Sequence, residues 1–181
     1  ATIGSYFAAG LQAQHAVVER EFQCRQTAYA EFLQRIGRDR DPILNDFLNA
    51  GAIFGRVATD GQIQAAEDEL AKVANQASRI ELHRRISGDL YLLRLCASGE
   101  VARIANDLAS VLVGDFYSFD VYSYPDYMKQ SIQLHLNLKD EGVVIGWEPR
   151  VENHERTAFF LTTSLLQYMV DQMSKELRSK L

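Results

Sequence analysis

Residues 7–36, FAAGLQAQHAVVEREFQCRQTAYAEFLQRI, decide the fold. Phe7, Leu11, Val18, Phe22, Tyr29, Phe32, Leu33 and Ile36 recur at steps of three and four, the spacing that lines one face of an α-helix. A long first helix is expected here, ending where Gly37 and the charged stretch Arg38 to Asp41 interrupt the pattern. Asp41-Pro42 then offers an N-cap followed by proline in the first turn, which predicts a short second helix over about 42–58.

Farther along, Thr59-Asp60-Gly61 reads as a turn. Ile63, Ala66, Leu70, Val73, Ala77 and Ile80 follow like one seam of a coiled coil, and Leu82, Ile86, Leu90, Leu93 and Ala97 continue at a shifted phase. Together they predict one long helix over 62–97 whose buried face rotates midway, with Gly88 as a point where it could bend. Ser98 is suited to capping a further helix through Val101, Ile104, Leu108 and Leu112, ending near Gly114. Near the other terminus, Phe159, Thr163, Leu166, Val170, Met173 and Leu177 predict a helix over 153–180. Asn153 is its candidate cap, and Glu155 at its start and Lys175, Arg178 and Lys180 at its end suit the helix dipole.

The fold class that follows is mainly all-α, an antiparallel bundle of long helices, with one departure. Ile132, Leu134, Leu136 and Leu138 alternate with polar residues, Lys139-Asp140-Glu141-Gly142 can turn, and Val143 to Ile145 follow. That pattern predicts a small β-hairpin insertion within 131–147, pairing about 131–138 with 143–147. A helix running on from Tyr127 is the alternative the leucines also allow.

At 181 residues with 47% hydrophobic and 24% charged side chains, the chain can bury a sizeable core as a single domain over 1–181. Only 3 Pro and 11 Gly are present and no polar tract marks a linker. The net charge of −5 argues against nucleic acid as a partner, since phosphate binding needs concentrated cations. The densest basic cluster, Arg35, Arg38 and Arg40, is interleaved with Asp39 and Asp41. No run of 18 apolar residues occurs, so the chain as given spans no membrane. The opening Ala1 to Gly10 reads equally as the trimmed end of a signal or membrane segment and as a plain start.

Familiar chemistry is hard to place. No Glu-x-x-His motif supports a di-iron site in the bundle, and the nearest approaches, His15 with Glu19 and Glu152 with His154 and Glu155, do not repeat at matching spacing. His83 and His135 lack acidic or cysteine partners close in sequence. Gly-x-Ser-x-Gly, P-loop and Gly-x-Gly-x-x-Gly motifs are missing, and the Ser98-Gly99-Glu100 corner is explained by capping. Cys24 and Cys96 fit no metal spacing; buried reduced thiols are expected, a bridge being open to them only if their helices meet. No catalytic residue, metal or cofactor is therefore expected.

Phe116, Tyr117, Phe119, Tyr122, Tyr124 and Tyr127 crowd around Pro125, where periodicity fails. With Trp147 they read either as a satellite core beneath a loop or as a binding surface. The candidate ligand-binding residues are Phe119, Tyr122, Tyr124, Tyr127 and Trp147. Mixed charges on the third helix, Arg79, Arg84, Arg85 and Arg94 among Glu67, Asp68, Glu69, Glu81 and Asp89, suit a helix facing solvent or a partner helix, which leaves self-association open.

Arg25-x-x-x-Tyr29-x-x-Phe32-Leu33 in a polar first helix, a long middle helix, Leu95-Cys-Ala-Ser98-Gly-Glu100-Val101 and a final helix resemble a broad group of uncharacterised bacterial proteins. In that group a single N-terminal membrane helix precedes a soluble helical bundle. The resemblance covers about half of the chain and implies a helical region held near a membrane; apart from it, the compartment stays open, with the cytoplasm as one expectation. The expected function is a noncatalytic interaction or scaffold module, membrane-tethered, with a protein partner or a second copy. The alternative is a small-ligand sensor using the aromatics of 116–147.

Overall fold

The computed structural model describes residues 2–37, 41–54, 72–115, 123–126 and 154–178. Five helices order them: α1 (Thr2–Gly37), α2 (Pro42–Phe54), α3 (Gln76–Cys96), α4 (Gly99–Val113) and α5 (His154–Arg178), and no strand occurs among the described residues. The fold is all-α. The expected hairpin of 131–147 and the expected last turn of the second helix beyond Phe54 lie outside the described residues.

Helix boundaries follow local chemistry. At the start of α2 the Asp41 carboxylate accepts the Leu44 N–H at 3.3 Å and its carbonyl accepts the Asn45 N–H at 3.1 Å, with Pro42 in the first position, where a missing N–H costs nothing. Ser98 caps α4 by accepting the Val101 N–H. At the other end of α4, Gly114 adopts φ 87°, a left-handed conformation that side chains disfavour, and lets the Gly114 and Asp115 N–H groups reach back to Val111 and Ser110.

One expectation is corrected. The helix expected over 62–97 is interrupted at Ala74 and Asn75. Asn75 sits in an extended conformation (φ −138°, ψ 158°), accepts the Ser78 N–H at 2.9 Å and donates to the Lys72 carbonyl at 2.9 Å, so one side chain satisfies the chain on both sides of the break. The first apolar seam accordingly stops at the buried Val73, and Ile80 is exposed. The second face, Leu82, Ile86, Leu90, Leu93 and Cys96, enters the core. The rotation of the buried face is made by starting a new helix. Gly88 lies within the continuous α3, with open space where a Cβ would stand.

Directions follow from paired residues. Arg79 at the start of α3 reaches the Val111 and Leu112 carbonyls at the end of α4, so these two helices are antiparallel. Glu155 meets Arg79 while Tyr168 meets Glu100 and Glu176 meets Ser98, so α5 runs back along α4. Cys24 lies by Cys96, Arg35 by Asp89, Asp41 by Arg85, and Phe47 stacks on Phe159. Those four contacts descend the bundle in order, so the last third of α1 and α2 as far as Phe47 lie end to end as its fourth column. The core holds Tyr29, Phe32, Leu44 and Phe47 from that column against Leu82, Ile86, Leu90 and Leu93 of α3, Ile104 and Leu108 of α4, and Phe159, Phe160, Leu161, Leu165 and Leu166 of α5.

Candidate functional site

Residues 11–21 of α1 have no place in that core. They are all exposed, and the first buried side chains after them are Ala28 and Tyr29. The 20 residues from Thr2 to Glu21 extend about 30 Å at 1.5 Å per residue. On this arm Leu11 is 56%, Val17 55% and Val18 64% exposed. Leu11, His15, Val18 and Phe22 fall three or four residues apart on the line that continues to Tyr29 and Phe32, so the stripe buried in the bundle runs on beyond it. The arm carries no Asp, Glu, Lys or Arg before Glu19. At the same end, Tyr91 and Leu95 stand one turn apart on the outside of α3, both more than 60% exposed.

Contacts from α3, the cap of α4 and α5 fasten the arm's base. Cys24 and Cys96 are joined in a disulfide, with Cα atoms 5.3 Å apart and 72 residues between them in sequence. Cys24 is exposed and Cys96 nearly buried, so the expectation of buried reduced thiols gives way to a bridge made where the two helices meet. Beneath it the Glu176 carboxylate of α5 accepts from the Tyr29 hydroxyl at 2.7 Å and from the Ser98 hydroxyl, and the Ser98 N–H donates to the Tyr29 oxygen at 3.3 Å. Arg25 approaches Glu176 at 4.0 Å. Burial, then the Glu176 hydrogen bond, raises the Tyr29 phenol above its usual value, so it stays protonated as a donor.

A second polar set runs from the first turn of α4 to its middle, facing α5. Arg103 pairs with Glu100 at 2.8 Å and stands 4.2 Å over the Tyr124 ring, whose hydroxyl donates to Asp107. Tyr168 packs edge-on against Tyr124 and donates to Glu100 at 3.1 Å. Of the five residues expected to bind a ligand, only Tyr124 is described; it is buried, with both ring and hydroxyl engaged as above. Phe119, Tyr122, Tyr127 and Trp147 lie outside the described residues. Burial is the main cause that drives the Tyr124 phenol well above its ordinary range, with the Asp107 hydrogen bond adding to it.

At the opposite end, Arg79 is buried, makes a two-armed contact with Glu155 (2.8 and 3.2 Å) and donates to the Leu112 carbonyl at 2.9 Å. It closes the end of α4 and the start of α5 with one guanidinium. Among the described residues no three His, Cys, Asp or Glu side chains gather as a metal site would require. No described helix is long and apolar enough to cross a membrane. No family model, curated protein or solved structure matches the chain.

Sequence reasoning named neither Arg79 with Glu155 nor the set of Tyr29, Ser98 and Glu176 as contacts. The partners lie 76, 147 and 78 residues apart, beyond the reach of local spacing.

Proposed function

We propose that this chain is a noncatalytic interaction or scaffold module whose contact surface is the projecting half of α1, with Tyr91 and Leu95 of α3 beside it. The observation that carries the reading is that arm: Leu11, Val17 and Val18 hold to helical order in water with no described packing over them. An isolated helix of that length is marginal in water. Continuity with the fastened part of α1 keeps it formed, and covering its apolar side chains yields roughly 25 cal/mol per Å2. Lack of charge before Glu19 favours a partner recognised by shape and apolar contact over one recognised by charge. The resemblance to bacterial proteins with a membrane helix before a bundle supports a tethered form, in which α1 is the stalk between membrane and bundle. About 20 apolar residues encoded immediately upstream of Ala1 would be its sign.

The test is site-directed photocross-linking in the cells that make the protein. A benzophenone side chain placed at Leu11 or Val18 is expected to give discrete adducts, whereas one at Ser87, exposed on the bundle, is not. Equal yields at the three positions, or none at the arm, would remove the reading.

A further inference from the structure

We propose that Cys24–Cys96 is a thiol–disulfide exchange site, with a small or protein dithiol as its reactant, and that it sets whether the base of the α1 arm is locked to the bundle or free. The inference concerns the arm's mechanical state and stands independently of what binds the arm.

Position is the first argument. The bond joins the last residue of α3 to α1 at the turn where α1 leaves the bundle: residues 11–21 above it are exposed, and Ala28, Tyr29 and Phe32 below it are buried. Next to it Arg25 approaches Glu176 at 4.0 Å between side chains more than a quarter exposed, a type of ion pair that fastens weakly. The next hold is the Tyr29 hydroxyl on Glu176, one turn farther in. Breaking the disulfide therefore removes the covalent hold at Cys24 and leaves the Tyr29 hydroxyl, more than a turn farther in, as a hold on Glu176.

Access is the second. Cys24 is exposed while Cys96 is 9% exposed, so an incoming thiolate reaches the Cys24 sulfur first. It bonds to Cys24 Sγ, the Sγ–Sγ bond breaks, and its electron pair leaves on Cys96 Sγ, which takes a proton from water. The dithiol's second sulfur then attacks its own mixed disulfide, releasing Cys24 as a thiolate. The dithiol is oxidised to a disulfide by two electrons and the protein is reduced by two. Both redox forms suit the backbone, because a Cα separation of 5.3 Å lies within the range of a bridge and also allows two thiols to sit side by side.

Hydrogen exchange on the full chain, followed by mass spectrometry, tests this. The protein is compared as purified without reductant, after dithiothreitol, after reoxidation, and as the variant Cys24→Ser with Cys96→Ser. Expected are no free thiols in the first form on alkylation under denaturing conditions and exchange of the amides from Val18 to Ala28 at least tenfold faster on reduction. Slow exchange should return on reoxidation, and amides of α4 and α5 should be unchanged throughout. Two free thiols in the untreated protein, or exchange unmoved by reduction, would overturn the proposal. Acceleration spread across α3, α4 and α5 would also overturn it, since the bond would then be a general staple. If the double variant fails to fold, the comparison of oxidised with reduced wild-type protein decides the matter. Failure of the cross-linking at Val18 would leave this result untouched, and the reverse holds.

Discussion

The stretches from Leu11 to Val18 and from Ala28 to Phe32 share one helix and one apolar stripe, yet only the second is inside the protein. From Ala28 to Phe32 the stripe is shut against α3 and α5, with Tyr29 and Phe32 fully buried; from Leu11 to Val18 the same line of residues faces water. The contrast teaches that periodicity reports which face of a helix is apolar and is silent on what covers it. Neighbours decide that: α3 ends at Cys96, α4 begins one turn later, and α1 continues past both. The lower part of α1 therefore contributes to the core, and residues 11–21 contribute available surface.

Substitutions can break this contrast most directly by treating the halves alike. Phe32→Ala is expected to cost about 3–5 kcal/mol of unfolding free energy, as for an aromatic removed from a closed core, whereas Val18→Ala should change it by under about 0.5 kcal/mol. Urea melts of the two variants measure both, and a large loss at Val18 would mean that the arm is packed after all. Arg79→Ala, at the end farthest from the arm, is expected to cost about 3 kcal/mol, since it leaves Glu155 and the last carbonyls of α4 without their buried cation. Hydrogen exchange in the same variant should quicken at Val111, Leu112 and Glu155 while Tyr29 stays protected, separating the two ends of the bundle.

The smallest effect expected is set by pH. Hydrogen bonds from Arg103, then the one from Tyr168, hold the Glu100 carboxyl below its ordinary value of 4.5. A group depressed in the folded state adds stability that is present above about pH 4.5 and lost as acid protonates the folded carboxyl below it. The melting temperature of the wild type should thus exceed that of Glu100→Gln at pH 6 by a margin that shrinks by pH 3.5. A margin that grows in acid would reverse the assignment.

Much of the frame was legible. Asp41-Pro42, Ser98 and Gly114 declared helix ends because each solves a backbone hydrogen-bonding problem within four or five residues. Asn75 solved the same problem and was hidden by the apolar seam running across it from Val73 to Ile80. The clustered aromatics announced themselves by composition, but Tyr124 owes its surroundings to Arg103, Asp107 and Tyr168, whose placement depends on how α4 and α5 fold together. Cys24 and Cys96 were legible as residues and illegible as a pair for the same reason. Contacts between distant segments come from the packing of faces, and a stripe of leucines does not name its partner.

The bridge between those cysteines also makes the chain from residue 24 to residue 96 a covalent ring that encloses α2. A protease cutting anywhere within that ring severs the backbone without parting the molecule. The two fragments stay linked as one species on a nonreducing gel and separate only when the sulfurs are reduced. A single cut between Ser98 and α5 has the opposite outcome, because nothing covalent then holds α5 to the remainder.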